Sequence, residues 1–226
     1  MFEASRMARA GCASGTIVGA DEQTAGHGRY GRTWHSETET GLYVSIVLRH
    51  RFSKASTPVV TLALGLAAAE AIQKSTNIVC DLRWPNDLMV ESKKCGGILT
   101  ELEDSVIIAG IGINVNQSAF PSELSATAIS LRLASGRMHS RENLMVDLAV
   151  SVDSFCSILE AEGKEPILEM FSRASSFVQG RRVDVDLGES TVRGTTVGLN
   201  ASGFLILRGD DGVENVILAG GIRPCS

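Results

Sequence analysis

Residues 16–36 read TIVGADEQTAGHGRYGRTWHS, a short apolar strand that runs directly into a loop rich in glycine and arginine. Gly26, Gly28 and Gly31 free the backbone to take positive φ and to bring its N–H groups close to a ligand. Arg29 and Arg32 add fixed positive charge and forked donors suited to carboxylate or phosphate oxygens. The run Gly26-His27-Gly28-Arg29-Tyr30-Gly31 matches the G-x-G-x-x-G dinucleotide fingerprint, but that fingerprint must open a helix whose N-terminus faces the pyrophosphate. Here Arg32 to Gly41 carries no apolar stripe at helical spacing and passes into a second strand, Leu42 to Arg49. The stretch reads as an anion-wrapping hairpin loop between strands, and a nicotinamide or flavin enzyme is rejected.

Outward from this loop, helices and strands mix without strict alternation. A helix over Phe2 to Ala10 begins at once after Met1, and Thr57-Pro58 opens an Ala/Leu-rich helix that runs to about Ser75. Strand-like runs follow at Ile78 to Trp84, Leu88 to Glu91, Gly97 to Glu103 and Val106 to Val115, with connections too short for parallel crossovers. Ser140 caps a long helix with Leu144, Leu148, Val152, Phe155 and Leu159 at core spacing, and Pro166 starts a shorter one reaching about Phe177. From Gly180 the texture changes to short, evenly spaced strands without a helix, which read as a small barrel. The expected division is 1–178 and 179–226.

Composition narrows the function. The 226 residues carry a net charge of −5, which argues against nucleic acid as a main partner, because phosphate-backbone binding needs a basic face. Five scattered cysteines without a C-x-x-C pair fit reduced thiols, and His27, His35, His50 and His139 show no metal-ligand spacing. The longest apolar run, Val59 to Ala69, is too short to cross a bilayer, so a cytoplasmic protein without a membrane partner is expected.

Three further segments interrupt the strands with chemistry. Arg83-Trp84-Pro85-Asn86-Asp87-Leu88 is a tight turn presenting an amide and a carboxylate; alone, such a turn is ordinary local hydrogen bonding. Lys94-Cys95-Gly96-Gly97-Ile98-Leu99 sets a lysine before two glycines, with little side-chain bulk beside it, so that it can lean into a cavity. Gly110-Ile111-Gly112-Ile113-Asn114-Val115-Asn116 puts glycines inside a strand, where they weaken it unless a ligand lies close.

The loop from Gln23 to Ser36, the W-P-N-D turn, the K-x-G-G-I-L strand and the G-I-G-I-N-V-N strand occur in one order that resembles the biotin protein ligases, ligase-only class. The resemblance implies an α+β catalytic domain with a mixed, largely antiparallel sheet and helices on one side, like a class II synthetase, followed by an SH3-like barrel. It implies that biotin and MgATP give biotinyl-5′-adenylate, and that the biotinyl group then passes to a lysine of a biotin carboxyl carrier protein. Lys94 and Arg29 are then the catalytic cations. Gln23, Gly26, His27, Gly28, Arg29, Lys94, Gly97 and Gly112 would bind biotin, and Arg29, Arg32, Trp34, Asn86, Asp87, Lys94 and Asn114 the ATP or adenylate. Trp34 would carry the adenine, and Asp87 would assist Mg²⁺. Both the glycine loop and the Glu91 to Cys95 loop are expected to close over the adenylate, and a homodimer is left open.

Four departures from the pattern carry expectations. His27 stands where arginine is usual, which predicts weaker, pH-dependent retention of biotin. Arg83 stands for a lysine and keeps the charge, and Gly221 stands where an acid is often found. The Ser-Thr-Asn turn that bonds the biotin ureido group should precede the first helix, but that helix follows Met1 directly, which predicts a start assigned too late. Two rival readings remain: a lipoate ligase or octanoyltransferase of the same architecture, and a non-catalytic biotin or nucleotide sensor.

Overall fold

The computed structural model describes residues 1–49, 56–188 and 190–225; His50 lies outside them. In chain order the elements are α1 (Phe2–Arg9), β1 (Ile17–Ala20), β2 (Gly41–Leu48), α2 (Thr57–Thr76), β3 (Asp81–Arg83), β4 (Asp87–Val90), β5 (Lys93–Glu103) and β6 (Val106–Asn114). There follow α3 (Ser122–Ser125), α4 (Leu131–Ser135), α5 (Arg141–Glu162), α6 (Glu165–Ala174), β7 (Arg182–Asp186), β8 (Thr191–Leu199), β9 (Leu205–Arg208), β10 (Glu214–Ile217) and β11 (Gly221–Pro224).

The first six strands form one sheet in the order β1-β2-β6-β5-β4-β3. Each of its ladders is antiparallel, as the short connections require, and the parallel contact in the "mixed" description is an isolated bridge from Lys94 to Ala128. Alternation along β2 and β6 sends Leu42, Val44, Ile46, Ile107, Ala109, Ile111 and Ile113 into the main core. There they meet α2, whose Ala/Leu-rich sequence is buried on most of its circumference, and behind it α5 and α6. The opposite face is not bare, which corrects the expectation of helices on one side. Ala4 and Ala8 of α1 pack there on Val47, Val106 and Ile108.

Several boundaries differ from the sequence reading for local reasons. The strand expected from Ile78 begins only at Asp81, since the Ile78 N–H goes to the Thr76 hydroxyl instead of a ladder. The helix expected to reach Phe177 stops at Ala174: the Ser175 hydroxyl bonds the Leu82 carbonyl, and Ser176 bonds Asp81, tying the chain to β3. The Ser140 cap holds, accepting from the Asn143 N–H at 3.1 Å.

The second sheet has the order β10-β9-β8-β7-β11, all antiparallel. β11 was not read from the sequence, and the barrel is not closed, because β10 and β11 remain its two edges. Val183, Val185, Leu205, Leu207, Ile217 and Ile222 join the same core as the first sheet. The Trp84 indole N–H also bonds the Gly203 carbonyl at 2.9 Å across the seam.

Leu148 on α5 is fully buried, whereas Val146 two residues earlier is exposed. Leu148→Ala should lower the urea-unfolding free energy by about 3 kcal/mol, and Val146→Ala should change it by less than about 0.5 kcal/mol. Equal effects would show that α5 does not present this face to the core.

Candidate active site

Strand register builds the floor of the site. Tyr43 pairs with Gly112, Gly112 with Gly97, and Gly97 with Asp87, so one row crosses β2, β6, β5 and β4 on the α1 face. The next row holds Ser45, Gly110 and Leu99. A Cβ on Gly112 would lie 2.8–3.0 Å from the indole of Trp34, and one on Gly110 would lie 2.8 Å from Met1 Sδ. The glycines inside β5 and β6 therefore make a trough one side chain deep, which Trp34 and Met1 cover.

Lys94 joins this trough through an irregularity. Residues three apart on a regular strand face opposite ways. A register shift opposite Leu88 and Met89 leaves Cys95 as the extra residue, and Lys94 then lies over Gly97, its Cε 3.1 Å and Nζ 3.2 Å from where a Cβ would be. Its ammonium sits 5.5 Å from the Trp34 ring centre and 2.5 Å from Asp87 Oδ1. The Lys94 main chain is held from the far side, its N–H donating to the Thr127 carbonyl and its carbonyl accepting from the Ile129 N–H.

Asp87 is shared between two cations, since Oδ2 accepts from Arg83 Nε at 3.1 Å and Nη2 at 2.7 Å. Burial pushes its pKa up, but the charges of Lys94 and Arg83 win and hold the carboxyl below its ordinary value. The preceding residue anchors the other proposed cation: Arg29 Nη1 approaches Asn86 Oδ1 at 3.4 Å and the Gly220 carbonyl at 3.5 Å. Asn86 is fixed in turn by donating to the Ile98 carbonyl at 2.7 Å. A cavity of about 210 Å³ opens on the Arg29 side, lined by Pro85, Leu99, Thr100, Phe204 and Leu218.

Lys94, Asp87, Trp34, Gly97 and Gly112 thus meet at one floor, and Arg29 with Asn86 adjoins it. The remaining predicted residues are distributed around this group. Arg32 reaches away to Asp186 on the second sheet at 3.0 Å, and His27 is exposed with its backbone paired to Thr33. Asn114 is buried and donates to the Ile129 carbonyl, while the Gln23 N–H bonds the Ser36 hydroxyl. In the loop, Tyr30 and Gly31 adopt positive φ, and Gly26 and Gly28 do not. Gly26 is needed for space, because a Cβ there would lie 2.6 Å from the Trp34 carbonyl. Gly28 has φ −107° and donates to the Arg32 carbonyl, closing the loop. The 127–129 segment, Gly220 and Asp186 were missed, the first two because only their backbones take part.

Trp34 was expected beneath an adenine, and in this structure it lies on the glycine floor instead. Its Nε1 is buried without a hydrogen-bond partner, an arrangement that costs about 1–3 kcal/mol and favours any occupant able to displace the ring. Among the described residues no three His, Cys, Asp or Glu side chains cluster as metal ligands do, so no all-protein Mg²⁺ cage is built here; Asp87, expected to assist Mg²⁺, is held by Lys94 and Arg83 in this structure.

Asp87→Ala leaves Lys94 and Arg83 without their shared anion, and should cost about 3 kcal/mol in urea unfolding at neutral pH. The carboxyl is held below its unfolded value, so its contribution is present above that value and is lost as pH falls through the folded one. The gap between wild type and variant should therefore narrow on acidification. A pH-independent gap would show that the charges are not what Asp87 supplies.

Comparison with known proteins identifies the family of the fold that carries this site. Residues 4–118 match the biotin/lipoate A/B protein ligase family, and residues 179–222 match the biotin protein ligase C-terminal domain. The bifunctional ligase/repressor BirA of Bacillus spizizenii is 34% identical over 223 residues, covering 96% of this chain and 68% of that protein. The biotin--[acetyl-CoA-carboxylase] ligase of Mycobacterium tuberculosis is 29% identical, covering 92% of this chain and 77% of that protein. The biotin protein ligase from Aquifex aeolicus in complex with biotin and ATP superimposes with a TM-score of 0.87 at 30% identity, covering 98% and 94% of the two chains. From sequence and fold together, the chain belongs to the biotin/lipoate A/B protein ligase family.

Proposed function

We propose that this chain is an ATP-dependent biotin protein ligase, which forms biotinyl-5′-adenylate and pyrophosphate and then biotinylates a carrier-protein lysine. The observation that carries the reading is the anchoring of Arg29 and Lys94 on consecutive residues, Asn86 and Asp87. Joining a carboxylate to an α-phosphate brings anions together, so positive charge must already be aimed at the new linkage. The biotin carboxylate attacks the α-phosphorus and pyrophosphate leaves with the broken P–O bond. In the second step the carrier lysine amine attacks the acyl carbon and AMP leaves. Lys94 would turn from Asp87 to the linkage, and Arg29 would meet it from the Asn86 side. No side chain of this chain acts as a covalent nucleophile, and the work is positioning and electrostatics.

The glycine trough suits the biotin, with Gly97 and Gly112 beneath it and Gln23, Gly26, His27 and Gly28 in the hairpin above. Biotin would displace the Trp34 indole, which is then released towards the nucleotide side, where Arg32, Asn86, Asp87 and Asn114 are assigned. Mg²⁺ would supply charge neutralisation to the phosphates, and Asp87 is the residue that would assist it once Lys94 has turned away. The ligase unit would span 1–178 and the C-terminal unit 179–226. The relatives from Mycobacterium tuberculosis and Paracoccus denitrificans, named for acetyl-CoA carboxylase, support that class of carrier as the partner. No described helix is long and apolar enough to cross a membrane, and five free thiols fit a reducing cytoplasm.

Pyrophosphate release from ATP should be triggered by biotin and not by lipoate, and a carrier domain should become biotinylated on lysine. Release triggered by lipoate would turn the assignment to the sister activity, and binding without release would make the protein a sensor. Lys94→Ala should slow adenylate formation about a hundredfold. Of the two tryptophans in the chain, Trp34 should account for a fluorescence change on adding biotin, and Trp34→Phe should abolish that change. A biotin signal that survives in Trp34→Phe would refute displacement of the indole.

A further inference from the structure

The row of residues that makes the floor does not stop at Asp87. Asp87 pairs in turn with Arg83 on β3, so the row runs through Tyr43, Gly112, Gly97, Asp87 and Arg83 to the edge of the sheet. The Asp87 carboxylate divides its two oxygens between its neighbours. Oδ2 takes both Arg83 bonds, from Nε at 3.1 Å and Nη2 at 2.7 Å, and Oδ1 takes the Lys94 ammonium at 2.5 Å. Among the described residues these are its ion pairs. All three groups are sheltered, with 20% of the Arg83 side chain, 16% of Asp87 and 32% of Lys94 exposed. A cation, an anion and a second cation therefore stand in line, and the second cation lies over the glycine floor.

Lys94 must leave Asp87 to meet the acyl-phosphate linkage. Were it the sole partner, its departure would leave a sheltered carboxylate unpaired, which is strongly unfavourable, and the ammonium would stay in place. Arg83 changes that balance in two ways. Its guanidinium stays charged at any working pH and keeps Oδ2 paired throughout. Its charge also opposes that of Lys94, so the ammonium is held less firmly at Oδ1. Both arginine bonds fall on the oxygen that Lys94 does not use, so the lysine can swing away without disturbing them. We propose that Arg83 is a positioning residue for adenylation, a resident counter-cation that neutralises Asp87 while Lys94 moves to the substrate and returns. This rests on the adenylation reading and deepens it. The intervening turn keeps the pair in register, with the Trp84 indole tied to the Gly203 carbonyl and the Asn86 amide to the Ile98 carbonyl.

Single-turnover formation of the adenylate by the full chain, at saturating biotin and ATP, tests this. Arg83→Gln should slow it about thirtyfold, the loss of charge-assisted bonds to a sheltered carboxylate, and leave the KM for biotin unchanged. Arg83→Lys, which restores the charge with a single ammonium, should stay within about threefold of the wild-type rate. In an Asp87→Asn background no anion holds Lys94, so adding Arg83→Gln should change the rate by less than about twofold. An equal loss in both backgrounds overturns the proposal, because Arg83 would then act independently of Asp87. So does an Arg83→Gln variant that is less stable to urea yet forms the adenylate at the wild-type rate, which would leave the pair as a staple of the turn. A rise confined to the KM for ATP overturns it as well, making Arg83 a nucleotide contact. Absence of adenylate from the wild-type chain would instead sink the adenylation reading itself, and this role with it.

Discussion

The site depends on one steric constraint, the facing of Gly112 and Gly97 across β6 and β5 without a Cβ on either. A sheet normally covers its face with side chains, and two glycines in register open a trough in an otherwise rigid surface. Rigidity comes from behind, where Ile111, Ile98 and Ala109 bury against α2. The trough can therefore be shallow and still keep its shape, which a loop-built pocket would not. The bulge at Cys95 has meaning only beside it, because it turns the Lys94 stem onto the bare glycine surface.

Charge is then arranged around a floor that carries none. Asp87 lies in the same row and neutralises Lys94 and Arg83 in part, so two cations are stored next to an apolar trough at tolerable cost. Arg29 rests on the neighbouring amide, and Arg32 on an acid of the second sheet. Each cation has a partner it can leave, and the partners Asn86, Asp87 and Asp186 are fixed by strands and turns outside the hairpin. The second sheet is part of this arrangement: it supplies Gly220 and Asp186, and is coupled to the W-P-N-D turn through Trp84 and Gly203.

Much of this was legible in the sequence. The glycines inside β5 and β6 and the lysine heading a Gly-Gly strand break the alternation a strand should show, and Gly97, Gly112 and Lys94 meet on one floor; of the hairpin arginines, Arg29 adjoins that floor and Arg32 turns away to Asp186. What escaped has physical reasons. Contacts of the 127–129 segment with Lys94 run through the backbone and carry no side-chain signal. Asp186 reads as an ordinary solvated charge of a β-sheet until the fold brings Arg32 beside it. The resting place of Trp34 follows from the floor beneath it, which sequence spacing does not reveal, and β11 is four residues long and lies beyond a glycine pair.

The central claim is that Lys94 and Arg29 converge on one acyl-phosphate linkage. A crystal structure of the chain with biotin and a non-hydrolysable ATP analogue, or with the adenylate formed in place, tests it most directly. The account predicts Lys94 Nζ and an Arg29 guanidinium nitrogen each within hydrogen-bonding distance of the carboxyl or α-phosphate oxygens, with biotin lying on Gly97 and Gly112. Biotin bound elsewhere, or either cation still facing its present partner with the adenylate in place, would contradict it.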